Sequence, residues 1–234
     1  MAQKRMVVLA NSIKRGGRCV AGREVHAESG AIGDWLRPIS DVDGGALMPR
    51  HLATHTGRRL GVLDIVDVPL GGNADDPCHP EDWALGGQKW RHVGRFESKH
   101  LPGIEETPDD LWLEDPLKTD TVTCRFLQSR AWPQSLYLIR PENLRIRLWQ
   151  ECNRQTGAVQ KKSRAVFAYR NVEYDLGLTD PIITLRLFAT FPPAGQPPKE
   201  YTMPFPDKCL ACVSLTPMFM GCHYKVVAAV LETP

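Results

Sequence analysis

The 234-residue chain reads as a mostly β protein made of two small β-barrels or sandwiches. Three observations predict this. Nineteen glycines and nineteen prolines cut the chain into short pieces. Few of those pieces sustain the 3.6-residue apolar period of a helix. They also fall into two clusters of about 110 residues, each long enough to bury a core of its own.

In the first cluster, strands are expected over 6–11, 18–26, 34–40, 61–70 and 90–96. The first of these holds the apolar run Val7-Val8-Leu9-Ala10. In the second cluster they are expected over 121–127, 136–140, 144–149, 164–170, 172–178, 210–215 and 223–231. Arg145-Ile146-Arg147-Leu148 alternates, with cations on one face and aliphatics on the other. The runs 166–169 and 172–176 alternate as well and predict a hairpin turning on Arg170-Asn171. Helices are few. Asp180 caps one expected over 181–191, with Pro181 at its first position. A short helix is also expected near 45–54. Stretches 71–82 and 101–120 are rich in Pro, Asp and Glu, which puts a boundary near 115. The first barrel, with an acidic loop region, then covers 1–115 and the second covers 116–234. The Pro-rich stretch 192–198 reads as a stiff, extended loop.

Bulk composition places the chain among soluble globular proteins, with 42% apolar and 24% charged residues. No apolar run approaches the roughly 18 residues of a membrane span, so no membrane partner is expected. The basic N-terminus is followed by too short an apolar stretch for a secretory signal. Seven scattered cysteines point to free thiols in a reducing cytoplasm. The net charge of +2 hides segregation. Residues 1–60 carry ten Lys/Arg against five Asp/Glu, 61–120 carry five against fourteen, and 121–180 carry ten against five. Two basic blocks flank an acidic one, which suggests two anion-facing surfaces.

The candidate chemistry starts at the loop after the first strand. Ser12, Lys14, Arg15 and Arg18 surround Gly16-Gly17. Glycine lets backbone amides approach a ligand, and arginine and lysine grip phosphate. The spacing is not that of a Walker loop. The competing reading is an exposed turn kept soluble by its charge. Trp35 and Arg37 lie two apart on an expected strand and so share a face. Together they suit base stacking and phosphate contact. The alternative is a core tryptophan beside an arginine paired with an acid.

Signals for metal or catalysis are poorer. Cys209, Cys212, Cys222 and His223 look like half a zinc site, which Cys152 or His223 would have to complete. Cys209 and Cys212 fall on opposite faces of one expected strand, so no metal is assigned. Asp64 and Asp67 also point apart. Cys78-His79 sits in an acidic loop that raises a thiol pKa. No hydrolase, zinc-protease or dinucleotide motif appears. A non-enzymatic protein without cofactor is therefore expected.

Several pieces, in order over nearly the whole chain, resemble the dual OB domain proteins of bacteria. They are Val8-Leu9-Ala10-Asn11-Ser12-Ile13-Lys14, Gly17-Arg18-Cys19-Val20-Ala21-Gly22 and Trp35-Leu36-Arg37-Pro38-Ile39-Ser40. Leu63-Asp64-Ile65-Val66, His79-Pro80-Glu81-Asp82-Trp83 and Val172-Glu173-Tyr174 with Leu178-Thr179-Asp180-Pro181 follow. Cys212-Val213-Ser214-Leu215 and Cys222-His223-Tyr224-Lys225-Val226-Val227-Ala228-Ala229 complete the set. The resemblance implies two OB-like barrels that bind nucleic acid, DNA or RNA, sometimes in bacterial conflict or defence. It implies no catalytic residues. With single strands as the expected ligand, Lys14, Arg15, Arg18 and Arg37 hold phosphates, Trp35 stacks, and Ser12 belongs to the same binding set. Arg145, Arg147 and Arg170 serve the second barrel. Two other functions fit the same residues: a sensor for a nucleotide or phosphate metabolite, and a protein-interaction subunit of a larger assembly.

Overall fold

Consecutive apolar residues in a strand imply cover on both of its faces, and the first strand of this protein is built that way. The computed structural model describes residues 2–14, 16–130, 132–152, 157–190 and 201–234. β1 (Ala2–Lys14) turns Met6 and Val8 into a core with Val20, Leu36, Leu47, Val66, Val68, Leu70 and Trp90. Val7 and Leu9 leave from the opposite face. They pack against Leu136, Leu138, Leu210, Cys212, Ala228 and Leu231 from the second half of the chain.

β1 is followed by β2 (Gly17–Val25), β3 (Ile32–Ile39), β4 (Asp64–Asn73), β5 (Asp82–Leu85) and β6 (Arg91–Arg95). Their order is β1-β2-β3-β5-β4-β6, and a further β1–β4 pairing closes the first five into a barrel. β3 and β5 run parallel, with Arg37 opposite Asp82. The second sheet comprises β7 (Thr121–Thr123), β8 (Leu136–Ile139), β9 (Glu142–Cys152), β10 (Val159–Tyr169), β11 (Val172–Leu178), β12 (Tyr201–Pro204), β13 (Cys209–Leu215) and β14 (Cys222–Glu232). Its order is β12-β9-β10-β11-β14-β13-β8, with β7 beside β14. The central part, β9-β10-β11-β14-β13, repeats the strand order of the barrel. The repeat includes its one parallel pair, Gly177 opposite Val226. The fold is mostly β, with OB-like units.

The connection between the sheets is not a free linker. Leu111 and Trp112 join the core of the second sheet, and the Trp112 indole N–H donates to the Gln134 carbonyl at 3.1 Å. Leu101 packs in the layer shared by both halves.

Local signals explain most elements. Asp180 accepts from the Ile182 and Ile183 amides and starts α2 (Pro181–Phe188), which ends three residues before the expected limit. Arg170 and Asn171 both take positive φ, which gives the two-residue turn predicted between β10 and β11. The strand expected over 121–127 stops at Thr123. The Thr123 hydroxyl caps the Phe126 amide and opens a helix, α1 (Cys124–Ser129), instead. Where a helix was expected near 45–54 there are only 3-10 turns, Asp43–Gly45 and Pro49–Leu52. β5 and β12 were not expected. The first lies at the end of an acidic stretch that reads as loop, and the second is a four-residue edge strand ending in proline. The loop 192–198 lies outside the described residues.

Candidate functional site

The cationic loop is the tip of the β1–β2 hairpin. Lys14 pairs with Gly17 across it, and Gly16 turns the chain with φ +80°. Arg15 lies outside the described residues. Gly17 has no room for a side chain, because a Cβ there would sit 2.9 Å from the Leu47 carbonyl oxygen. That close approach lets 46–48 run beside β2, where Arg18 and Leu47 exchange two backbone hydrogen bonds of 2.8 Å. The chain then returns through Thr54, whose hydroxyl donates to the Arg58 carbonyl at 2.9 Å and closes a loop around Gly57.

Between this loop and the hairpin tip lies a groove of about 600 Å³. Arg18, Arg58 and Arg59 line it together with Asn11, Thr54 and apolar side chains including Leu47, Leu52 and Leu60. Among the described residues no carboxylate lines it, and residues 44–63 contain none. Two polar atoms of lining residues are buried without a hydrogen-bond partner, Asn11 Oδ1 and Arg18 Nη1. Buried polar atoms are rarely left so; Arg18 Nη1 offers a donor to an anionic group, while Asn11 Oδ1 can accept only from a guest that carries a donor. Arg58 is tethered to Asp64 at 3.0 Å, while Arg59 is exposed.

The other side of the hairpin opens on a cleft of about 280 Å³ between the two halves. Ser12, Ile13 and Lys14 form one wall, and Thr179, Thr216, Phe219 and Tyr224 are among the residues of the other. The walls are pinned by the Ile13 amide donating to the Thr179 carbonyl at 2.9 Å. Ser12 is buried and donates to the Cys19 carbonyl. Phe219 and Tyr224 stand 6.5 Å apart, with Phe219 51% exposed and Met220 at the turn 84% exposed. They form a solvent-facing aromatic pair beside the cationic hairpin.

Of the other expected contacts only Arg37 reaches the rim, as a buried part of the cleft lining whose guanidinium is held by the protein's own acids. Trp35 is 3% exposed, sits in the shared apolar layer and donates its indole N–H to Glu106 at 3.0 Å. It has no face on which a base can stack. Arg37 is equally enclosed, bonded to Asp82 at 2.5 Å and to the Leu215 carbonyl at 3.3 Å, with Glu81 3.5 Å away. Burial disfavours its charge, but Asp82 and Glu81 outweigh that and hold the guanidinium above its ordinary value. Both residues are therefore internal supports. On the second sheet Arg145 pairs with Glu173, and Arg147 with Asp175 at 2.8 Å. Arg170 sits at the β10–β11 turn and donates to the Thr107 carbonyl. None of these three lines the groove or the cleft.

Cys209 and Cys212 do face opposite sides of β13, one into the core of the second sheet and one into the shared layer. Asp64 and Asp67 each hold their own cations, Arg58 and Arg95 on one, Arg5 and Arg91 on the other. The Cys78 thiol is pushed up to about 11, chiefly by burial and next by the Cys124 thiol, with the acidic neighbour Asp76 last. Arg58, Arg59, Phe219 and Tyr224 were missed from sequence. The signal for the two arginines was the carboxylate-free stretch around them.

A family model described as a dual OB-containing domain matches residues 4–230. No curated protein and no solved structure matches the chain.

Proposed function

The chain belongs to the dual OB-containing domain family, and we propose that it is a non-enzymatic module that binds single-stranded nucleic acid across the tip of its β1–β2 hairpin. OB folds commonly bind oligonucleotides through the loops between strands 1 and 2 and strands 4 and 5, beside the strand 2–3 face. The single observation that carries the reading is the carboxylate-free groove at the first of these loops, with Arg18 Nη1 and Asn11 Oδ1 unpaired. Phosphates lie against Arg18, Arg58 and Arg59, and bases reach the Phe219–Tyr224 pair on the far side of the hairpin. Aromatic pairs hold bases without sequence preference, and cations supply a salt-dependent grip.

The test is fluorescence anisotropy with single- and double-stranded DNA and RNA oligomers over a salt series. The triple variant R18A/R58A/R59A loses affinity, and its salt slope is shallower by up to about 2, given roughly 0.7 per phosphate contact on a single strand. Phe219→Ala costs about 1–3 kcal/mol of binding. Absence of binding at low salt, or binding indifferent to salt, overturns the reading. The groove also has the volume of a small-molecule site, which favours a nucleotide sensor as the second reading. A melting-temperature rise with a mononucleotide and none with oligomers selects it.

A further inference from the structure

We propose that Cys78, Cys124 and His223 form a zinc site that ties the β4–β5 connection to the second sheet. One ligand atom from each residue lies within 4.8 Å of the other two. Donors around a tetrahedral Zn²⁺ sit about 3.4–3.8 Å apart, given bonds of about 2.0–2.3 Å, so a closing of about 1 Å completes the set.

Each residue reaches the cluster from a different element. Cys78 comes from the turn before β5, where its amide donates to Asp76 Oδ1 at 2.8 Å. Cys124 is the first residue of α1, directly after β7. His223 lies on β14 opposite Val122 of β7.

The histidine is already oriented as a ligand. It is 3% exposed, and its Nδ1 lies 2.8 Å from the Thr216 carbonyl oxygen. A carbonyl only accepts, so Nδ1 carries the proton and Nε2 carries a lone pair. Metal-bound histidines are held this way by their second nitrogen. Nε2 is buried with no hydrogen-bond partner. A lone pair facing two thiols in a buried pocket has a ready explanation in a cation.

The donor set selects the metal. Two sulfurs and an imidazole favour zinc over the hard, oxygen-seeking cations. Binding releases the two thiol protons to solvent and forms two Zn–S bonds and one Zn–N bond. His79 does not compete, because its ring nitrogens face Asp76 and the Thr216 carbonyl. The neighbouring group Asp76, His79 and Asp82 is internally paired, with Asp82 committed to Arg37. Among the described residues no fourth His, Cys, Asp or Glu joins the cluster, which leaves one tetrahedral position for water or another ligand.

The experiment is metal analysis of the full chain after zinc loading and desalting, followed by chelation. The expected result is about one zinc per chain in the wild type and in Cys209→Ser, and its loss in Cys78→Ser and Cys124→Ser. Because a variant at a buried site can fail to fold, the wild type is also alkylated with and without chelator and its labelled cysteines mapped by mass. Zinc protects Cys78 and Cys124 and the chelator removes that protection, whereas the exposed Cys152 reacts in both cases. Cobalt in place of zinc gives a thiolate charge-transfer band. Zinc-free protein after loading, zinc held equally by Cys78→Ser and Cys124→Ser, or a Cys78–Cys124 disulfide in freshly purified protein overturns the proposal.

Discussion

Arg37→Ala separates a ligand-binding arginine from an internal support. Arg37 is buried between β3 and the end of β13, and the carboxylates it faces, Glu81 and Asp82, are buried too. Glu81 already accepts from the Ser135 amide at 3.1 Å and from the Ser135 hydroxyl, so it cannot turn to water. Removing the guanidinium strands both carboxylates and frees the Leu215 carbonyl. Truncating one partner of a buried pair costs about 3–5 kcal/mol. Out of a typical total of about 5–15 kcal/mol that is a large share. At about 2–4 °C per kcal/mol for a chain of this size, the melting temperature falls by about 6–20 °C. Urea melts and calorimetry measure the loss, and anisotropy below the new melting point measures oligonucleotide binding, which stays within twofold of wild type. In the cycle with Asp82→Asn, the double variant R37A/D82N is more stable than the two separate losses together predict. A variant that melts within a few degrees of wild type but binds oligonucleotide tenfold more weakly refutes this account and puts Arg37 at the ligand.

Four further outcomes are expected. Gly22→Ala destabilises by at least about 1–3 kcal/mol in urea melts, because its Cβ would lie 1.9 Å from the Val7 carbonyl oxygen. Gly87→Ala, with open space around it, stays within about 0.5 kcal/mol. Trp35→Phe removes the indole bond to Glu106 and costs about 1–3 kcal/mol in the same melts, with no change in oligonucleotide affinity. Asp67 gives an acid limb to stability. Burial raises its pKa, but hydrogen bonds from Arg5 and Arg91 outweigh burial and hold it below the usual carboxylate value. The stability it contributes is present above the unfolded pKa of about 3.9 and is lost as pH falls through the lower folded value. Urea melts from pH 7 to pH 3 should show a shallower decline below about pH 4 in Asp67→Asn.

Elements governed by neighbours in sequence were legible. Asp180-Pro181 capped a helix and Arg170-Asn171 turned a hairpin, because those residues carry their own backbone preferences. The run Val7-Val8-Leu9-Ala10 announced burial on both faces but not what would cover the second face. Trp35 and Arg37 share a strand with an aromatic and cationic look, yet their environment is set by Glu106, Glu81 and Asp82, more than 40 residues away. β5 was hidden for the same reason. Its acids read as loop, and only the parallel pairing with β3 gives Asp82 a buried cation. The hairpin tip was found because glycine and charge are local signals. Arg58 and Arg59 reach it only through the bridge between Arg18 and Leu47.

The apolar layer shared by the two sheets also sets a timetable for the chain. Val7 and Leu9 of β1 are covered by Ala228 and Leu231 of β14, more than 200 residues later. At about 5–20 residues per second on the ribosome, those side chains wait on the order of ten to forty seconds for their cover. During that interval the barrel carries an exposed apolar flank on a finished strand, a surface open to wrong partners. Expression at lower temperature, or with a chaperone that shields such a flank, should therefore raise the soluble yield more than any change at the binding rim.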